Sequence, residues 1–349
     1  MESFGYSPMR GVGQRHLIHM AFWRHNLKFL TTLQLLPALE SGEETTLVGG
    51  QAVLEGVMMR SPHAWGIAVR KPNGEMVTHR EKLDRPSERR KWLAWPFVRG
   101  VATLGQAMTL GFRALQFSAN VALEEEQKDT PKEKRLEFSG WVAAFNIILS
   151  LGFFIAMYKF IPLLVAKWVT AAYPAMDNRY GTSLIDGVIR IALFLTFIYL
   201  TSRMKDIRRV FEYHGAEHKT VFAFESGQPV TVEHAQSYPT FHPRCGTSFL
   251  MTVMLISIPI YMLFPNFGFV QGFLLRLAML PVIAGVSYEI IRYAARRRSS
   301  LFALMTQPGL WLQRITTQPP ADPQVECAMK ALDEAMELEK QLGGKLVLA

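Results

Sequence analysis

The sequence predicts a mainly α-helical membrane protein: about four transmembrane helices and an amphipathic helix, with a small β-hairpin module ahead of the spans. Two observations carry that class. Apolar residues make up 49% of the 349 residues, and they gather into long blocks instead of spreading evenly. The 38 lysines and arginines exceed the 29 acids for a net charge of +9, and the excess sits at the block ends, as in segments held against an anionic leaflet. That placement predicts the lipid bilayer as partner, and no nucleic acid is expected.

Residues 1–45 form an N-terminal extension with no acid between Ser3 and Leu39. They lack a cleavable signal pattern and read either as a surface-lying helix or as an organelle-targeting extension. Residues 46–96 read as a soluble module, because "WGIAVR" and "EMVTHREKL" flank "KPNG" and two β-leaning runs around a Pro-Asn-Gly turn predict a hairpin. Over residues 97–123, Arg99, Thr103, Gln106, Thr109, Arg113, Gln116 and Asn120 recur every three or four positions. They make a polar stripe on an otherwise apolar helix, predicted to lie along the membrane or against its spans. The charged run in 124–140 is a linker.

A span needs roughly 20 apolar residues as helix. Four blocks meet or approach that length: 141–166, 183–202, 247–264 and 267–291. Lys132, Lys134 and Arg135 precede the first, "RMKDIRR" follows the second and "RYAARRR" follows the fourth. This bias predicts both termini and the 203–246 loop on the cytoplasmic side. Cys245 and Cys327 fall on that side too, so no disulfide framework is expected. In the tail, 292–349, Asp322 and Pro323 start a helix with Val325, Met329, Leu332 and Met336 on one face and Gly343 as its stop.

The densest chemistry lies in "EYHGAEHKTVFAFE", residues 212–225. On a helix, His214 and His218 sit about 6 Å apart along the axis and roughly 40° around it, so both can reach one ion. Glu217 makes the pattern H-x-x-E-H, the inverted order of the zinc-hydrolase H-E-x-x-H, in which the glutamate is general base. "FHPRCG" adds His242 and Cys245 at a spacing suited to one ion. Three geometries follow. In an open site His214, His218 and one of Glu225, His242 or Cys245 hold a divalent metal, zinc being the expected ion, beside catalytic Glu217. In a closed site His214, His218, His242 and Cys245 fill the coordination. In the third, the histidines cap helices and bind no metal.

"GGQAVLEGVMMR", residues 49–60, carries Glu55 and Arg60 in an apolar run, and these two with Arg244 are candidate supporting or structural residues. Asp186 and Arg190 in the second span and Arg276 in the fourth predict an ion pair between spans, or a polar substrate path.

These segments, with "RKPNGE" at 70–75, "EYHGAEHKT" at 212–220, "FHPRCGTSF" at 241–249 and "QPGLWLQRITTQPPADPQVECAMKAL" at 307–332, resemble the YqhQ-like family of bacterial membrane proteins. The resemblance runs over about residues 46–342. It implies an inner-membrane location and a metal-dependent enzyme, with no substrate. Three functions stay open: a metal-dependent hydrolase at the cytoplasmic face, a non-enzymatic scaffold stapled by a structural metal, and a transporter. A homo-oligomer or a membrane-protein partner fits each of them.

Overall fold

The computed structural model describes residues 48–84, 90–126, 140–242, 245–297 and 300–342. The N-terminal extension, most of the 124–140 linker, Arg244 and Gly343 lie outside the described residues.

The described residues open with an antiparallel meander: β1 (Gly49–Val53), β2 (Gly56–Arg60), β3 (Ala64–Arg70) and β4 (Met76–Lys82), in the order β1-β2-β3-β4. The predicted hairpin is β3–β4, whose turn places Gly74 at φ 89°. The other hairpin comes from "GGQAVLEGVMMR", and its turn holds Glu55 at φ 52°. Its middle strands are buried on both faces, which is why they read as nearly unbroken apolar runs. Val53, Met58, Trp65, Ile67 and Val69 pack on Leu110, Ala114 and Val121 of α1 (Val98–Glu126). On the opposite face, Val57, Met59 and Ala68 pack on two further helices, α5 (Lys205–Glu225) and the C-terminal α11 (Asp322–Leu342).

The C-terminal helix is thus the sheet's second cover. Gly66 allows it to close in, since a Cβ there would lie 2.7 Å from Ala331 O and Ala335 N. At its far end, the buried Glu339 carboxylate accepts from Ser61 Oγ, the His63 backbone N–H and the His63 ring, each at 2.7 Å. Burial pushes the carboxyl up, but the His63 and Ser61 hydrogen bonds outweigh it and hold the group below the ordinary glutamate range. A depressed folded value means stability present above the unfolded value, roughly 4.3, and lost as pH falls through the folded one. Proteolysis of α11 should therefore accelerate on acidification in the native chain. Glu339→Gln should flatten that dependence, and an unchanged acid profile would refute the role.

Between α1 and α11 runs the apolar part: α2 (Gly140–Ile155), a π turn (Ala156–Phe160), α3 (Ile161–Ala172), α4 (Arg179–Thr201), α7 (Gly246–Met262), α8 (Phe269–Ala278), α9 (Leu280–Arg297) and α10 (Ser300–Thr316). Among the described residues, two helical stretches, Ile148–Ala172 and Arg179–Thr201, are long and apolar enough to cross a membrane, or three if the bent pair Phe269–Ala278 and Leu280–Tyr293 counts as one span. The expectation of about four spans is corrected on two counts. The third block forms a helix of 17 residues, about 25 Å at 1.5 Å per residue and shorter than a bilayer core of about 30 Å. The fourth bends by 48°, because Pro281 has no N–H to return to the last turn of α8. Outward-facing Ile148, Leu151, Trp168, Leu184, Val188 and Leu200 are exposed, a surface suited to lipid contact.

The 203–246 segment is mostly helix. After a break at Ser202–Met204 it forms α5, then the short α6 (Val232–Gln236). The polar stripe of α1 meets protein at several points: Arg99 pairs with Glu289, Gln106 donates to Asp84 O at 2.6 Å, and Arg113 approaches Glu81 at 3.3 Å.

Candidate metal centre

Helix α5 starts beyond the Arg203 turn and ends at Glu225, and its inner face carries His214, Glu217 and His218 at helical spacing. Opposite stands the N-terminus of α7, whose first residue follows Cys245. The side-chain ligand atoms of His214, His218 and Cys245 all lie within 4.8 Å of one another. His214 Nε2 and Cys245 Sγ are 3.2 Å apart. Ligands about 2.0–2.3 Å from a tetrahedral zinc lie roughly 3.5 Å from each other, so this trio has the spacing and the N/S chemistry to hold one.

Both imidazoles are oriented for it. His214 Nδ1 is 2.8 Å from the Thr316 carbonyl oxygen, which can only accept, so Nδ1 is the donor and Nε2 is the atom turned to Cys245 Sγ. His218 Nδ1 donates likewise to Thr240 O. Such an anchor on the far ring nitrogen is what fixes a metal-ligating histidine. Burial pulls His218 down to about 4, reinforced by neighbouring His214, and burial does the same to His242. Both are neutral at pH 7. His218 Nε2 is buried, lies 3.4 Å from a Glu217 oxygen and makes no hydrogen bond among the described residues.

Glu217 is buried beside them. Burial raises its carboxyl above the ordinary range, partly offset by His214, His242, the Gly50 backbone N–H and Arg60. It holds a proton more readily than a surface glutamate, the property a general acid–base needs. Gly50 makes room for it: a Cβ there would lie 2.6 Å from Glu217 Cγ and from Met58 O. These groups line a cavity of about 560 Å³ whose walls include Gly49–Ala52 of β1, Arg60, Leu110 of α1, Thr247 and Leu250.

The other candidates separate. His242 lines the same cavity, but its Nε2 lies 3.7 Å from Glu225, and neither belongs to the close trio. Gln313 of α10 holds His242 by its backbone, accepting from its N–H at 2.7 Å and donating to its carbonyl at 2.8 Å. Glu55 bonds Arg209 and Tyr213, tying the β1–β2 turn to α5 away from the cavity. Arg60 lines the cavity, Arg244 is outside the described residues, and His234 sits on α6 against Tyr238. Sequence reasoning did not single out Thr240, Gln313 or Thr316. Two of these act through backbone carbonyls and leave no side-chain signature. The Gly49–Gly50 pair is a sequence signal for the cavity wall, since glycines allow close backbone approach.

A family model described as "Protein of unknown function (DUF1385)" matches residues 95–338. The chain is also 31% identical over 303 residues to "Uncharacterized protein YqhQ" of Bacillus subtilis (strain 168), covering 83% of this chain and 92% of the relative. Neither description names a metal or a reaction. No solved structure matches the chain.

Proposed function

The chain belongs to the DUF1385 family, and from that premise and the cavity geometry we propose that it is an integral membrane protein that hydrolyses an interfacial substrate at a divalent metal, zinc by its ligand types. His214, His218 and Cys245 hold the ion, and Glu217 carries the proton. One observation supports this above the rest: three ligand atoms converge beside a buried carboxylate on the wall of a cavity large enough for part of a substrate. When bound, the metal supplies Lewis acidity and lowers the pKa of water. Glu217, raised by burial, then takes and returns a proton within the cavity.

The substrate is lipid-linked or otherwise held at the surface, because the site adjoins the apolar helices. The excess of Lys and Arg beside the spans supports a cytoplasmic-membrane location with this site and both termini on the cytoplasmic face. The test is a hydrolysis screen. Metal-replete protein in lipid nanodiscs should cleave at least one of a chromogenic ester, phosphoester or peptide amide, and a chelator should abolish the cleavage. Turnover that survives complete metal removal, or no turnover in any class, would refute the hydrolase.

A further inference from the structure

The apolar helices enclose a second polar cluster, independent of the cavity above. Asp186 and Arg190, one turn apart on α4, are buried, as are Arg276 on α8 and Lys159 in the π turn. Arg190 and Arg276 share one Asp186 oxygen, Arg276 at 3.3 Å. Lys159 Nζ donates to the Tyr261 hydroxyl at 3.1 Å, and that hydroxyl donates to Arg276 O at 3.3 Å. The Tyr261 ring faces all three cations, at 5.5 Å from Lys159, 5.4 Å from Arg190 and 4.9 Å from Arg276. The charges do not balance. Among the described residues, two buried guanidinium groups share one buried carboxylate, and ions removed from water persist only when compensated.

A small cavity beside this cluster offers the compensation. It is lined in part by Lys167, Arg179, Thr182, Ser183, Tyr261 and Arg276, and its volume is about 10 Å³, on the order of one water-sized particle. The Thr182 side chain, 3% exposed, has a buried hydroxyl with no hydrogen-bond partner among the described residues. Thr182 and Ser183 share the buried face of α4 with Asp186 and Arg190. The cavity's lining reaches exposed Asn266 and Lys167, whose Nζ donates to Asn266 Oδ1 at 2.7 Å. That end of α4 is a full helix length from Thr201 and the His214 site. At the mouth Lys167 and Arg179 outnumber the acid there, Asp177, which accepts from Asn266 at 2.7 Å, and inside lie the Arg276 guanidinium and the unpartnered Thr182 hydroxyl, a lining that favours negative charge. The enclosed space, on the order of one water-sized particle, suits a single-atom anion.

We infer that this cavity binds one small monovalent anion of the halide class, held by Arg276 and the Thr182 hydroxyl. The anion offsets the excess buried positive charge and leaves the Asp186–Arg190–Arg276 pairing intact.

The full chain in nanodiscs, equilibrated in sodium gluconate, is titrated with radiolabelled chloride at constant ionic strength while the unfolding midpoint is followed. The native chain should bind one chloride saturably, bromide should compete, gluconate should not, and the midpoint should rise with occupancy. Thr182→Val keeps shape and removes a donor to a charged acceptor, so affinity should fall by roughly 10- to 100-fold. Without chloride the same variant should be at least as stable as native, because an unsatisfied buried hydroxyl is gone. Arg276→Gln should abolish binding. Absence of saturable chloride binding in the native chain would overturn the inference, as would Thr182→Val binding chloride with native affinity. Should Arg276→Gln fail to fold, the Thr182→Val comparison decides alone.

Discussion

Protein carrying His218→Ala should leave a chelator-free purification with its bound metal reduced to a small fraction of the native content. His218 Nε2 is buried among the trio's ligand atoms, and its ring is held by the Thr240 carbonyl. Loss of an outer partner of a ligating histidine costs about 10–100-fold in metal affinity, and loss of the ligand itself should cost more. His214→Ala should behave the same way, and Cys245→Ser should weaken binding because an alcohol replaces the thiolate that suits zinc. His242→Gln should keep the metal, since the His242 ring neighbours His218 but its Nε2 lies 3.7 Å from Glu225 and outside the close trio. Metal loss in His242→Gln equal to that in His218→Ala would instead establish the closed four-ligand site. Elemental analysis of the purified variants separates these outcomes.

The second large effect belongs to Glu217. Glu217→Gln preserves size and can still accept the Gly50 N–H, but glutamine cannot take a proton. Turnover of whichever substrate class responds should fall by about 10²–10⁴-fold, the usual contribution of a general acid–base, while metal content stays native. Gly50→Ala gives an independent handle. Its Cβ would fall 2.6 Å from both Glu217 Cγ and the Met58 carbonyl, so strand or side chain must shift. That variant should retain its metal and lose part of its turnover. Native rates in both variants would remove Glu217 from the chemistry.

The local signals in the sequence were read well where side chains carry them. The Pro-Asn-Gly turn located β3–β4, and Asp322–Pro323 located the start of α11. The β1–β2 hairpin escaped because its turn is Leu54–Glu55, with Glu55 at positive φ, and neither residue type marks a turn. Blocks of apolar residues revealed the helices that are apolar enough to cross a membrane but not their lengths. Pro281 bends one pair, and a π turn interrupts another just ahead of Pro162. At the candidate metal centre, "HGAEH" and Cys245 were legible as possible ligand types. Which of the candidates come close together was not. Glu225 lies two turns beyond His218 on α5, where it meets His242, and that pairing depends on how the 226–242 segment folds back. The carbonyls of Thr240 and Thr316 that orient the rings could not be read from side-chain identity at all.

The central claim is that one metal ion binds per chain through two imidazoles and one thiolate. X-ray absorption at the metal edge, on native protein purified without chelator and quantified for metal by mass spectrometry, tests it most directly. The predicted result is one equivalent of metal with a single sulfur scatterer near 2.3 Å and nitrogen scatterers near 2.0 Å, the usual zinc distances, the sulfur signal disappearing in Cys245→Ser. Substoichiometric metal, or a coordination shell without sulfur in the native protein, would contradict the assignment of His214, His218 and Cys245.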